Sequence, residues 1–354
     1  MTKHQSAFGL LLTSTTLLLG ACTGPQNSSL LSGNASTDEP VMEPAFETDQ
    51  ATLDAALVCS EFTQPDKPPV LLVHGTFTMG EEHFPWNYKP LLRERGFDVC
   101  TVTYPDRGLM DIQISAEYVV NALRQMAAAS GRKVAIIGHS QGATMPRWAI
   151  KWWGSARDAV GDFVLIAGPN HGTSSRDNPV FDAIKSVAGL PAAIHQMTQG
   201  SNFITRLNED DETPGEIEYT SIYTQFDELV QPVAPVPTAA LDWHQDNPRV
   251  ANILVQDVCP GLLADHLTVG TTDAMAFELV LDALLNDGPA NVERAGGPAS
   301  LCAPLPPLPQ QNVGVYTITG VIGALQAQGP QSIPALHLSA EEPPLKPYAQ
   351  RSES

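Results

Sequence analysis

Residues 133–153 constrain the fold of this 354-residue chain more than any other stretch. Lys133-Val134-Ala135-Ile136-Ile137 is a short apolar, β-branched run, the pattern of a strand buried on both faces. Gly138-His139-Ser140-Gln141-Gly142 follows at once. Over 143–153 the apolar residues Met145, Trp148, Ala149, Trp152 and Trp153 then recur at helical spacing, with Arg147 and Lys151 off the stripe, which reads as helix core. The bare pattern G-x-S-x-G says little in a chain with 27 glycines. A strand before it and a helix after it make it specific, because the chain must then turn sharply and the turn lifts the serine hydroxyl clear of the backbone. Ser140 is therefore the candidate nucleophile; the competing reading is a serine that only caps the helix.

Past Cys59 the chain alternates short apolar runs, at 69–73, 98–104, 162–167, 218–223 and 251–255, with helical stretches such as the crossover at 112–129. This predicts an α/β protein with a mostly parallel central sheet flanked by helices on both faces. Sites in such sheets form beyond the carboxyl ends of the strands. Asp227 stands just behind the run ending at Tyr223, and His266 lies in the loop behind the run ending at Val255. The order Ser140, Asp227, His266 is that of an α/β-hydrolase fold. In that arrangement His266 takes the Ser140 proton as general base and returns it to the leaving group, while Asp227 orients the imidazole and stabilises its cation. Glu228 is the main rival for the acid and Asp265 a weaker one; His171 precedes Asp227 and breaks the order. Oxyanion donors are expected from Gln141, directly after the nucleophile, and from Thr76 in the loop that also carries His74 and Gly75.

The start of the chain carries its own signal. Met1-Thr2-Lys3-His4 precedes an apolar run at 8–19 that is too short to span a bilayer and has the size of a signal-peptide core. Leu19-Gly20-Ala21-Cys22 resembles a bacterial lipobox. Residues 1–21 then form a lipoprotein-type signal peptide, and Cys22 is the lipidated first residue, anchoring the protein in the bacterial cell envelope; the alternative is an ordinary signal peptide and a secreted protein. Residues 22–50, rich in Ser, Asn, Thr, Pro and acids, read as a flexible tether. Residues 51–354 read as one domain with a Pro-rich C-terminal extension. Of five cysteines, four remain once Cys22 is set aside: Cys59, Cys100, Cys259 and Cys302. That even set suits two disulfides in an exported protein, three pairings are open, and no C-x-x-C spacing points to zinc. A net charge of −20 argues against nucleic acid and against an anionic lipid surface as electrostatic partners. Glu209-Asp210-Asp211-Glu212 lacks EF-hand spacing and reads as a solvated loop, so neither metal nor cofactor is expected.

Four stretches together resemble the Candida antarctica lipase B family in sequence and in order: Lys67-Pro68-Pro69-Val70-Leu71-Leu72-Val73-His74-Gly75-Thr76, Ser140-Gln141-Gly142, Phe226-Asp227-Glu228-Leu229-Val230-Gln231-Pro232 and Asp265-His266. The likeness runs from about Cys59 to Pro347-Tyr348-Ala349. It implies hydrolysis of carboxylic esters, lipids included, without metal or cofactor, and it implies disulfides Cys59–Cys100 and Cys259–Cys302. A third disulfide of that family has no cysteines here, so packing alone must hold the tail from Ala303. His139 replaces the family's tryptophan before the nucleophile, on the alcohol side of the pocket, and predicts a more polar substrate pocket there. The stretch 174–205, with Val180, Phe181, Ile184, Val187, Leu190 and Ile194, stands where the family has a mobile helical region; it is either a lid or a packed excursion.

The leading reading is a monomeric, membrane-anchored lipase or carboxylesterase acting on lipid or small esters through an acyl-enzyme. The alternatives are an acyltransferase or polyester depolymerase on the same three residues, and a non-catalytic surface lipoprotein that keeps the fold as a binding module.

Overall fold

The computed structural model describes residues 42–174, 189–303 and 338–351. The signal peptide, Cys22 and the tether up to residue 41 lie outside the described residues, as do 175–188 and 304–337. Seven strands form the main sheet: β1 (Leu57–Cys59), β2 (Val70–Val73), β3 (Val99–Val102), β4 (Val134–His139), β5 (Val160–Ile166), β7 (Glu218–Tyr223) and β8 (Val250–Leu254). Their order is β1-β3-β2-β4-β5-β7-β8. Every pairing is parallel except that of β1 with β3. A separate two-residue pair joins β6 (Leu190–Pro191) to β9 (Leu338–Ser339). The six predicted strands are all present. The seventh, β1, escapes sequence reading because it is three residues long and only Leu57 is even partly buried.

Between the strands run α1 (Gln50–Ala55), α2 (Gly80–His83), α3 (Tyr88–Glu94), α4 (Ile112–Ser130), α5 (Gln141–Trp152) and α6 (Gly154–Asp158). After β6 come α7 (Ala192–Gln196) and α8 (Asn202–Leu207), and after β8 come α9 (Val255–Val258), α10 (His266–Val269), α11 (Ala274–Leu285) and α12 (Gly297–Leu301). Side chains alternate across a strand, so each apolar run feeds two cores. Leu71, Val73, Val134, Ile136, Phe163 and Leu165 pack with α4 and α5. Val70, Leu72, Ala135, Ile137, Val164 and Ile166 pack with α3 and α11 on the other face. The sheet is thus covered on both sides, as the continuous apolar runs predict.

Three expectations change. The helix after Ser140 is not one-sided: α5 is buried from Gln141 to Ile150, Arg147 included. Arg147 stays buried because its guanidinium donates to the Asn170 and Glu212 carbonyls and to Asn208 Oδ1. The tether does not reach residue 50. The amides of Glu47 and Thr48 donate to the Glu117 carboxylate at 2.9 Å each, Trp153 Nε1 donates to Pro44 O, and Phe46 packs on the core, so the folded unit begins at Glu43. Of the stretch 174–205, the part from Gly189 onward is a packed excursion: Leu190, Ala193, Ile194 and Phe203 are buried, and Phe203 stacks on Trp148 at 4.5 Å. The rest of that stretch, 175–188, lies outside the described residues.

The chain's end docks without a disulfide. Trp148 Nε1 donates to Tyr348 Oη at 3.1 Å, and the Tyr348 ring lies 5.2 Å from that of Trp153. Cys59 bonds Cys100, its facing residue on β3, and Cys259 bonds Cys302, the pairings the resemblance implies. No helix among the described residues is long and apolar enough to cross a membrane.

Candidate active site

Ser140 sits between β4 and α5 with φ 58° and ψ −126°. A non-glycine residue in this region carries backbone strain, which persists only where the surroundings fix it. The two glycines supply room rather than left-handed backbone: a Cβ on Gly138 would stand 1.9 Å from Gly142 O, and one on Gly142 would stand 2.2 Å from Val73 O. The serine itself takes the unusual dihedral. The Ser140 amide donates to Ile166 O of the neighbouring strand at 2.9 Å, which ties the turn to the sheet and leaves the hydroxyl half-buried at its carboxyl edge.

Three residues read from the sequence meet here. His266 Nε2 lies 3.0 Å from Ser140 Oγ, and His266 Nδ1 lies 2.8 Å from Asp227 Oδ2 and 3.0 Å from Oδ1. Since the carboxylate only accepts, Nδ1 carries the proton and Nε2 faces the serine as an acceptor. Asp227 is buried, and its Oδ1 also accepts from the amides of Leu229 and Val230 at 2.9 and 2.7 Å, which fix its plane. Burial pulls the His266 pKa down; the Asp227 carboxylate pulls it up and prevails, with Glu228 and Asp265 adding to it, so the imidazole titrates above its ordinary 6.5.

The rival acids have other work. Glu228 Oε2 accepts from the His266 amide at 3.1 Å. Asp265 caps α10: its Oδ1 accepts from the Thr268 amide at 2.7 Å while its own amide donates to Thr268 Oγ1. This reciprocal cap holds His266 at the first position of a four-residue helix. His171 is engaged elsewhere, its Nε2 paired with Glu212 at 2.5 Å.

Thr76 and Gln141 meet beside the nucleophile, with Thr76 Oγ1 donating to Gln141 Oε1 at 3.2 Å. Gly75 lets that loop close on the serine, for a Cβ there would stand 3.1 Å from Ser140 Cβ. Gln141 begins α5, where backbone N–H groups point outward and favour negative charge. The loop is braced from behind. The buried His74 ring stacks on Tyr104 at 3.8 Å, the Tyr104 hydroxyl donates to His74 O, and the Phe77 amide donates to Arg107 O at 2.7 Å. Arg107 in turn grips Glu82 with both guanidinium arms, at 2.5 and 2.8 Å. Burial holds His74 neutral by lowering its pKa to about 3.

His139 departs from expectation. It is 3% exposed, so it does not line a pocket. Both ring nitrogens are engaged, Nδ1 with His83 Nε2 at 3.1 Å and Nε2 with His266 O at 2.9 Å. The physical reason is alternation: Ile137 and His139 share the face of β4 that packs toward α11, and the loop carrying His266 closes over the end of that face. Sequence reading missed His83 altogether. An isolated histidine after two glutamates carries no periodic or motif signal.

Comparison with known proteins follows the same lines. The family described as Lipase (class 2) matches residues 67–239. Lipase B of Pseudozyma antarctica is 29% identical over 314 residues, covering 87% of this chain and 86% of its own. The crystal structure of Aspergillus fumigatus lipase B superposes with a TM-score of 0.73 at 28% identity, covering 87% of this chain and 74% of that one. A Bacillus licheniformis lipase, BlEst2 in its propeptide form, shares the fold at a TM-score of 0.50 and 19% identity, over 66% of this chain and 54% of that one. The chain is thus a homologue of lipase B, a carboxylic ester hydrolase with the α/β-hydrolase fold.

Proposed function

We propose that the chain is a serine lipase or carboxylesterase that cleaves lipid or small carboxylic esters through an acyl-enzyme on Ser140. The observation that carries this reading is the single imidazole of His266 spanning Ser140 Oγ at 3.0 Å and Asp227 Oδ2 at 2.8 Å. Ser140 Oγ attacks the ester carbonyl carbon as its proton passes to His266 Nε2. The tetrahedral oxyanion is held by the N–H groups of Thr76 and Gln141, and the Thr76 hydroxyl stands beside them. Collapse breaks the bond to the alcohol, which leaves with the His266 proton. Water then repeats the sequence against the acyl-serine and releases the acid. Asp227 keeps the imidazole in one tautomer and stabilises its cationic form without itself taking the proton.

Two disulfides fit export to an oxidising compartment. Within that setting the reading assigns residues 1–21 to a signal peptide, Cys22 to a lipid anchor and the domain to a monomer at the cell envelope. Hydrolysis of p-nitrophenyl esters from acetate to palmitate tests the chemistry, with Ser140→Ala assayed beside the native protein. Activity that disappears with the serine is expected, and the chain-length profile separates lipase from esterase. Activity that survives Ser140→Ala, or no activity on any ester, would sink the acyl-enzyme reading.

A further inference from the structure

Beside His266 lies a pair of imidazoles for which the acyl-enzyme chemistry has no use. His83 ends α2 and His139 ends β4; both are buried, and their ring centroids are 5.0 Å apart. The His139 ring in turn lies 5.1 Å from that of His266. Hydrogen-bond logic fixes their protons. His139 Nε2 stands 2.9 Å from the carbonyl oxygen of His266, which can only accept, so Nε2 must carry the hydrogen. A neutral imidazole holds one ring proton, so His139 Nδ1 is an acceptor, and His83 Nε2, 3.1 Å away, must donate to it. The result is a directed chain, His83 N–H to His139, His139 N–H to the His266 carbonyl.

The chain has a seat as well as a direction. Gly270, directly after α10, leaves room for the His139 ring: a Cβ there would stand 2.1 Å from His139 Cδ2. The ring is therefore wedged between the end of β4 and the short helix that begins with His266. The titratable groups facing the pair are His74, His266, Asp227 and Asp265, with Glu228 on the amide of His266. Burial outweighs the carboxylates: it holds the His139 pKa down to about 3 and that of His83 well below the ordinary value, which keeps both rings neutral.

We propose that His83 and His139 are a positioning pair for His266, gripping its carbonyl while Glu228 holds its amide, so that its ring stays in line between Asp227 and Ser140. The pair touches neither substrate nor the reacting atoms. The proposal rests on the reading of Ser140, His266 and Asp227 as the reacting group, and its test keeps the two apart.

A residue that lined the pocket would alter KM and alcohol selectivity; one that aims the base alters kcat. His139→Phe keeps a flat ring and removes both hydrogen bonds. With p-nitrophenyl butyrate it is expected to lower kcat roughly 10- to 100-fold, the usual effect of a base misplaced by a fraction of an ångström to an ångström, with KM within about twofold. His139→Gln, whose amide can donate to the same carbonyl, is expected to recover several-fold of that loss, and His83→Phe to fall in the same direction by less. In the native protein, 15N-histidine NMR is expected to show two imidazoles that stay neutral and protonated on Nε2 from pH 5 to 9, one of them missing in His139→Gln. An unchanged kcat in a folded His139→Phe, no recovery in His139→Gln, or an Nδ1–H tautomer or a titration of His139 in that range would overturn the proposal. Where His139→Phe fails to fold, His139→Gln and His83→Phe carry the kinetic test, and a wrong tautomer or a titration in the native protein overturns the proposal without any variant. Activity that survives Ser140→Ala overturns the reading beneath it instead, and leaves the tautomer result standing as structure alone.

Discussion

His266 is held between opposed influences, and the balance sets the pH at which it can act. Burial favours the neutral ring and Asp227 favours the cation; the carboxylate prevails, so the pKa lies above 6.5. Only the neutral ring can accept the Ser140 proton, so the acid limb of kcat/KM is expected to have its midpoint above 6.5. Asp227→Asn should move that midpoint down, because the raising charge is gone, and should lower kcat by a factor on the order of 10⁴ through loss of the correct tautomer. A pH–rate profile of both proteins checks this; a midpoint that does not move would show that Asp227 does not set the titration. The roles of Glu228 and Asp265 were not legible in the sequence. Three acids crowd 227, 228 and 265, chain order admits all of them, and only the fold shows that one meets the imidazole, one the amide and one caps a helix turn.

Among the elements, the strand–turn–helix unit was the most legible part of the chain, though part of its physics was not. Periodicity located β4 and α5, and the spacing of Gly138 and Gly142 located the turn. That both glycines are required by close approach, with the unusual dihedral on Ser140, depends on how β2 passes under the turn. Gly138→Ala or Gly142→Ala is expected to cost about 3–5 kcal/mol, since backbone rather than a flexible side chain blocks the added methyl. Gly131→Ala, at φ 67° with open space around it, should cost only about 1 kcal/mol. Urea midpoints at unchanged m-value distinguish the two cases, and equal losses at all three would sink the argument. β1 and the burial of Arg147 were illegible for a shared reason: each depends on partners far along the chain, Cys100 for the strand and Asn170, Asn208 and Glu212 for the arginine.

In the molecule as a whole, the two edges of the sheet titrate with opposite sign. At the carboxyl edge His74 and His139 are buried and neutral, each with its pKa lowered to about 3. The unfolded chain protonates near 6.5, so this stability is present above that pH and is lost as pH falls below it, by about 2 kcal/mol per ring at pH 5. At the amino edge Asp162 of β5 faces Glu218 of β7, and burial, then the neighbouring carboxylates, push its pKa up to about 7. The unfolded carboxyl ionises near 3.8 while the native one keeps its proton, so stability falls as pH rises from about 4 to 7 and changes no further above that. Asp162→Asn should therefore raise stability in urea at pH 8, by about 1–3 kcal/mol, and leave little gain at pH 4. A gain of equal size at both pH values would count against it.

The packing of the two ends carries one more consequence. The Glu47 amide bonds the Glu117 carboxylate on α4, the Lys346 amide bonds Gln113 one turn earlier on the same helix, and the side chains of Glu47 and Lys346 meet at 2.8 Å. In topological terms the folded unit is nearly a ring, closed by an ion pair where a peptide bond could stand. The leading and trailing segments are thus held by one and the same helix, α4, on the opposite side of the sheet from α10.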